Sequence, residues 1–160
     1  MDNPLLKTFL KDIFSLPQAR RRLNVLKTYF DEKFFNLSTN GSYAVSPEDG
    51  AWLKLLPEAF LKNFNKLNCH KLIDSLKIAL AKIEPLIIYL PTEIPDTETD
   101  EIGKWLRKNT SQTIFDTKLN PSLLGGCAFA FKGTLKDYSL KVAIDAQREK
   151  ILSAMKGYLK

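Results

Sequence analysis

The chain has 160 residues, of which 44% are hydrophobic and 26% are charged, a composition typical of folded globular proteins and unlike that of disordered ones. Two cysteines and a single histidine exclude a disulfide framework and a zinc site with the usual ligand spacing. The longest apolar stretch, residues 85–91, is too short to span a bilayer. The formal net charge of +6 is compatible with nucleic acid, an anionic membrane surface or an acidic protein as a partner.

The N-terminal half predicts a helical bundle. Apolar residues recur at helical spacing over residues 3–14, which predicts a first amphipathic helix. The sequence from Ser15 to Gln18 is typical of a capping box that opens a second helix, with Pro17 close to its start and its end near Asn36. Asn40 and Gly41 predict a turn after this helix.

Two further helices are predicted before residue 84. One begins at Ser46, where the Ser-x-x-acid pattern recurs, and is kinked or broken at Pro57 because proline lacks a backbone donor. The other is capped by Asn68 and carries one apolar face up to Ile83. The run Arg20-Arg21-Arg22 is the one true basic cluster, and it is interpreted as a solvated helix face.

The pattern changes at Pro85. Residues 86–90, 112–119 and 127–131 predict three strands, and a helix around Trp105 separates the first two. A last helix is predicted from Ser139 to about residue 159, with apolar residues three and four positions apart. The predicted fold class is α+β: a helical bundle over residues 1–84, then a small α/β domain over residues 85–160 with a short mixed sheet and a long C-terminal helix.

Residues capable of chemistry are few. His70 follows Cys69 directly, and adjacent helical positions point to different faces, so the two do not form a nucleophile and base pair. A group of acids is interpreted as the favourable first turn of a helix rather than a metal site; it comprises Glu93, Asp96, Glu98, Asp100 and Glu101. The glycines near Lys132 lack the order of a phosphate-binding loop. We assign no catalytic, cofactor-binding or metal-ligating residue.

Two of the seven glycines, Gly125 and Gly126, stand side by side before the third predicted strand. Glycine lets the backbone take positive φ and lets a neighbouring backbone approach closely. Downstream, Asp137 precedes Ser139, a residue of the type that caps helices. These residues therefore indicate a structural motif.

The segment from Pro85 onward resembles the C-terminal part of the delta subunit of F-type ATP synthases, the oligomycin-sensitivity-conferring protein of mitochondria. The resemblance lies in Asn-Pro-Ser-Leu-Leu-Gly-Gly over residues 120–126, which includes Pro121, then a short strand, Asp137-x-Ser139 and a closing amphipathic helix. It covers about half the chain. Asn120 stands where the family usually has an acid, and the N-terminal half holds fewer predicted helices than the family's bundle.

The resemblance implies a non-catalytic subunit of the peripheral stalk, which holds the catalytic head against rotor torque during proton-driven ATP synthesis. The helical domain would bind N-terminal helices of the alpha subunits, and the C-terminal domain would bind the C-terminal helices of the b subunits. The protein would then be a peripheral subunit at the cytoplasmic face of the inner (plasma) membrane or on the matrix side of the mitochondrial one. Candidate head-binding residues, which could equally fill the bundle core, are Leu5, Phe9, Ile13, Phe30 and Phe34.

Three alternatives remain open at the level of sequence. The E subunit of V/A-type ATPases also has a Gly-Gly strand before a terminal helix, but its long N-terminal coiled coil is missing here. A basic module for RNA or DNA predicts a contiguous positive face, whereas 13 basic and 9 acidic residues in 1–85 and 11 and 9 in 86–160 spread the charge thinly. A small hydrolase or transferase would need a pocket that joins the acidic group to His70 or Cys127.

Overall fold

The computed structural model describes residues 4–35, 46–110 and 114–158 and has the predicted α+β architecture. The chain divides into two compact units, Met1–Ile83 and Glu84–Lys160, so the division lies one residue from the predicted boundary. The predicted turn at Asn40 and Gly41 lies outside the described residues.

The first unit is helical. Its described helices are α1 Pro4–Phe9, α2 Leu16–Phe35, α3 Pro47–Leu55, α4 Glu58–Leu61 and α5 Cys69–Ala81. The first helix is shorter than predicted, because the chain leaves the α-helix after Phe9 and tightens, with the Ile13 amide donating to the Leu10 carbonyl at 3.2 Å. The apolar spacing continued past this turn, so periodicity alone predicted too long a helix.

Side-chain caps define where α2 and α3 begin. The hydroxyl of Ser15 accepts the amide of Gln18 at 3.3 Å, and the Gln18 side chain accepts the amide of Phe14 at 3.0 Å, a variant of the predicted capping box. The hydroxyl of Ser46 accepts the amide of Asp49 at 3.1 Å, as predicted. Both helix starts are thus encoded locally.

Pro57 breaks the chain between α3 and α4, as predicted, and stands as the residue before α4. The prediction for Asn68 needs correction, because its side chain does not cap α5. Its Oδ1 accepts the amide of Asn65 at 2.8 Å and its Nδ2 donates to the carbonyl of Asn63 at 2.9 Å. The side chain therefore stabilises the turn before the helix instead.

The core of the first unit is aromatic. Phe30 stacks on Phe64 with ring centroids 4.5 Å apart and on Phe34 at 5.5 Å. Phe9 meets Trp52 edge to face at 5.7 Å, which joins α1 to α3. The contact between Phe9 and Trp52 thus joins two helices that are too short to be stable alone.

The basic cluster is not simply a solvated face, which corrects the sequence interpretation. Asp49 is buried, and its carboxylate lies 3.1 Å from Nε of Arg21 and 3.6 Å from Nε of Arg22. The Arg22 guanidinium also donates to the Asp12 carbonyl at 2.6 Å and lies 5.2 Å from the Trp52 ring centroid. Two of the three arginines therefore pair α2 with α3.

The described part of the second unit is a four-stranded mixed sheet with helices. Its elements are β1 Leu86–Leu90, α6 Asp96–Asn109, β2 Phe115–Leu119, a 3₁₀ turn Pro121–Leu123, β3 Gly126–Phe131, β4 Thr134–Ser139, α7 Leu140–Ala146 and α8 Arg148–Tyr158. The strand order is β2-β1-β3-β4; β1 and β2 are parallel, and the other pairs are antiparallel. The helix α6 makes the crossover that a parallel pair requires.

Two features of this unit differ from the predictions. Strand β4 was not predicted, since its exposed residues do not alternate between apolar and polar. The last helix is two helices that meet at Gln147, where ψ is 10°. The Gln147 amide donates to Ile144 at 3.1 Å and its carbonyl accepts from Ile151 at 3.0 Å, so helical hydrogen bonding continues on both sides of the junction.

Apolar residues on the central strands form the core of the second unit. Ile88 of β1 and Phe129 of β3 are directly opposite each other, as are Leu86 and Phe115 of β2. Ile88 and Phe115 are buried, and Ala128 is buried on the other face of β3. Both faces of the sheet are therefore covered near its centre.

Candidate functional site

The Gly-Gly motif folds into a turn built on side-chain and backbone hydrogen bonds. Asn120 opens the 3₁₀ turn, and its Oδ1 accepts the amide of Ser122 at 3.3 Å and its hydroxyl at 2.6 Å. The amide of Asn120 donates to the carbonyl of Leu90 at 2.7 Å, which ties the turn to the end of β1. Because an amide oxygen makes these bonds as a carboxylate would, asparagine can serve where the resembling family has an acid.

The two glycines have different structural roles. Gly126 has a φ of +73°, and a Cβ atom there would collide with the carbonyl oxygen of Tyr138 on β4. At Gly125 an added Cβ would meet only the Leu140 side chain, at 3.5 Å, which is an ordinary contact. The Gly125 carbonyl instead accepts the amide of Leu140 at 2.9 Å. Gly126 thus permits the strand pairing, and Gly125 holds the start of α7.

Asp137 and Ser139 form the other half of this junction. Asp137 accepts the amide of Ser139 at 2.8 Å, and Ser139, which is buried, accepts the amide of Val142 at 3.4 Å as the cap of α7. Hydrogen bonds from Ser139 lower the pKa of Asp137, and Lys141 adds a smaller effect in the same direction. The five motif residues Pro121, Gly125, Gly126, Asp137 and Ser139 therefore lie in one structural junction, which we call the Gly-Gly junction.

The two C-terminal helices leave this junction with no buried residue from position 140 to 156. Their exposed apolar side chains are Leu140, Val142, Ile144, Ile151, Leu152 and Met155. Leu140, Ile144, Ile151 and Met155 follow helical spacing along one side, and we call these four residues the apolar stripe. A short amphipathic helix with no packed face gains most of its stability from a partner.

Leu124 was not singled out by the sequence, although it belongs to the motif. It has a φ of 63° and a side chain that is 64% exposed. A leucine in this region of backbone space is strained, and such strain is concentrated at functional sites. Leu124 follows the 3₁₀ turn and precedes Gly125, whose carbonyl accepts the amide of Leu140 at the start of α7.

The predicted head-binding residues do not form an exposed surface. Phe9, Ile13 and Phe30 are fully buried in the first unit, and Leu5 and Phe34 are half-buried. The structure therefore assigns the first three to the core, the alternative that the sequence left open. Among the described residues of this unit, the large apolar side chains that are exposed are Leu55, Leu67 and Ile78.

Of the residues considered for catalysis, His70 and Cys69 belong to the first unit and Cys127 belongs to the second. His70 is half-exposed, stacks on Phe35 with centroids 5.1 Å apart, and has its Nε2 3.7 Å from Oδ1 of Asp31, whereas Cys69 is buried. Burial, and to a smaller extent the charge of Asp137, raises the pKa of the Cys127 thiol. A raised pKa keeps this thiol protonated, which is the opposite of an activated nucleophile.

The acidic group lies around the start of α6, with Asp96 and Glu98 in its first turn, where they interact favourably with the helix dipole. Among the described residues, no three His, Cys, Asp or Glu side chains come together to hold a metal ion. A cleft of about 260 Å³ at the carboxyl ends of β1 and β2 is lined in part by Glu93 and Lys118, both exposed. None of the helices in the described ranges has the length and apolar content to cross a membrane.

Comparison with known proteins adds no assignment. No family model matches the chain, and no curated protein matches it at a significant level.

Proposed function

We propose that this protein is a non-catalytic connector in the peripheral stalk of a rotary F-type ATP synthase, of the delta or oligomycin-sensitivity-conferring kind. The observation that carries the proposal is the pair of helices α7 and α8, which bear an exposed apolar stripe and are attached to the sheet by the Gly-Gly junction. An exposed amphipathic helix held by a rigid base is suited to binding another helix.

In this proposal the second unit binds the b-subunit helices along the apolar stripe. The first unit binds alpha-subunit helices, and its exposed residues Leu55, Leu67 and Ile78 replace the buried set as candidates for that contact. Contact with the membrane is indirect, through the complex. Holding the head against rotor torque requires both contacts at once, and in this proposal each of the two compact units makes one of them.

The nucleic-acid alternative loses its main support in the first unit. Arg21 and Arg22 are paired with Asp49, so the basic cluster is neutralised in part within the protein. Phosphate binding depends on accessible cations whose counterions are released on binding. The connector is therefore the better proposal.

The test is affinity purification of the tagged protein from its native membranes. We expect the alpha and b subunits in the eluate, and no nucleotide hydrolysis by the isolated protein. ATP synthase that is purified gently, is fully assembled and lacks this chain would overturn the proposal.

A pair of variants tests the role of the apolar stripe. Ile144→Asp places a charge in the stripe, and Val142→Asp places the same charge on the opposite side of α7. Both side chains are exposed, so the fold should survive either change. We expect loss of b-subunit capture with Ile144→Asp only; equal capture by both variants would contradict the proposed surface.

A further inference from the structure

A positive charge interrupts the apolar stripe. Arg148 is four residues after Ile144 and three before Ile151, and residues at these spacings share one side of a helix. Arg148 is the first residue of α8, directly after the junction at Gln147, and the Ile151 amide donates to the Gln147 carbonyl at 3.0 Å, so Arg148 and Ile151 belong to the same helical turn. Arg148 is exposed, as are the stripe residues on either side of it.

No ion pair joins Arg148 to another residue of the described ranges. A partner helix that covers the stripe would remove the guanidinium from water. Burying an unpaired charge is strongly unfavourable, whereas a carboxylate can pair with arginine through two parallel hydrogen bonds. Asp145, three residues before Arg148, forms no ion pair with it, so an acid on the partner at this level is the group that would pair with the guanidinium.

We propose that α7 and α8 bind an amphipathic helix that carries a carboxylate in the middle of its apolar face, and that Arg148 selects it. The inference rests on the proposed function in one respect, that the apolar stripe is a partner-binding surface. It adds the charge that the partner carries and the residue that recognises this charge. Arg148 is thus a specificity-determining residue.

An exposed apolar stripe could also bind a second copy of the chain or an anionic membrane, and the charges argue against both. In two copies paired about the centre of the stripe, Arg148 would face Arg148, and like charges across an interface are unfavourable. An anionic membrane would attract Arg148, but Asp145 and Glu149 flank it in sequence and the stripe is only one or two side chains wide. A helix with an acid at the matching level satisfies both the stripe and the charge.

The test uses the full-length protein and two labelled helical peptides of about 21 residues, with leucine at the a and d positions. The peptides differ only in one central position of the apolar face, glutamate in one and lysine in the other. We expect fluorescence anisotropy to show the glutamate peptide binding about ten-fold more tightly. Arg148→Glu should reverse this preference.

The matched control is Lys150→Glu, which makes the same change of charge on α8. Lys150 is one residue before Ile151 and so points away from the stripe. This variant should keep the preference for the glutamate peptide. Circular dichroism of both variants checks that the helices remain intact.

Four outcomes would overturn the inference. The first is equal binding of the two peptides, and the second is binding of neither. The third is a reversal of the preference in Lys150→Glu as well as in Arg148→Glu. The fourth is that the protein binds neither peptide selectively but dimerises or binds phosphatidylserine vesicles, and that Arg148→Glu abolishes this association. Capture of the b subunit from membranes is measured separately. A stripe that captures b but does not discriminate between the peptides would leave the proposed function standing and remove only the role of Arg148.

Discussion

The carbonyl oxygen of Tyr138 occupies the space that a Cβ atom on Gly126 would need. The two residues belong to neighbouring antiparallel strands, where Gly126 is opposite Ser139 and Tyr138 is opposite Cys127. Their backbones approach this closely at the point where β4 gives way to α7. The requirement for glycine is therefore a property of the strand pairing that orients the C-terminal helices.

Substitution of the two adjacent glycines should have unequal effects. We expect Gly126→Ala to lower the free energy of unfolding by about 2–4 kcal/mol, through positive φ and the clash with β4, and Gly126→Val to lower it further. Gly125→Ala, which meets only an ordinary contact with Leu140, should change it by about 0.5 kcal/mol or less. Denaturant unfolding followed by circular dichroism measures both, and equal midpoints would contradict this explanation.

The pKa of Asp137 should be measurably low. Because the folded state lowers it, the carboxylate stabilises the fold above its unfolded pKa of about 3.9, and this contribution is lost as pH falls through the lower folded value. A carbon-detected NMR titration should show the Asp137 pKa rising towards its usual value in Ser139→Ala. In Asp137→Asn, the part of the stability change between about pH 5 and pH 2 that comes from this residue should disappear.

The rate at which Cys127 is alkylated gives a second, independent test of the charge of Asp137 in the Gly-Gly junction. Burial and the Asp137 charge both raise the pKa of Cys127, so we expect iodoacetamide to modify it more slowly than a free cysteine at pH near 8. Asp137→Asn should increase the rate, because it removes the second of these causes. Peptide mass spectrometry separates Cys127 from the buried Cys69, and a rate that falls in the variant would contradict the assignment.

Asp49 should contribute strongly to the stability of the first unit. Asp49→Ala leaves the arginine side chains around it without their carboxylate, and breaking a buried ion pair costs about 3–5 kcal/mol. The matched control is Glu58→Ala, which breaks the exposed pair with Lys62 and should change stability by about 0–1 kcal/mol. Thermal unfolding of both variants measures the difference, and similar melting temperatures would show that the buried pair contributes little.

A substitution in its two-residue turn should stabilise the hairpin between β3 and β4. Lys132 and Gly133 both have positive φ, 48° and 77°, as a two-residue type I′ turn requires. Asparagine tolerates this conformation better than lysine, so Lys132→Asn should stabilise the second unit by about 0.5–1 kcal/mol. Lys132→Ala removes the same charge without relieving the backbone; if it stabilises equally, the gain does not come from the turn.

Much of the local structure could be predicted from the sequence. The caps at Ser15 and Ser46, the break at Pro57 and the strand of residues 86–90 depend on side chains acting on their own or adjacent backbone, and each is found where it was predicted. Gly126 takes the positive φ, and Ser139 the helix-capping position, that the sequence predicted, because both are local requirements of the backbone.

The tertiary structure decided which apolar faces are buried and which segments pair as strands, because both depend on contacts between residues distant in sequence. Periodicity places Phe9, Ile13 and Phe30 on apolar faces, but it does not say whether such a face meets the core or a partner, and packing buried all three. Strand β4 exists because β3 offers it hydrogen bonds across the Lys132 turn, although its own residues carry no strand pattern. The sequence by itself thus determined where most elements begin and which residues bend the chain; only packing decided which apolar faces stay exposed, since burial is a property of whatever lies opposite.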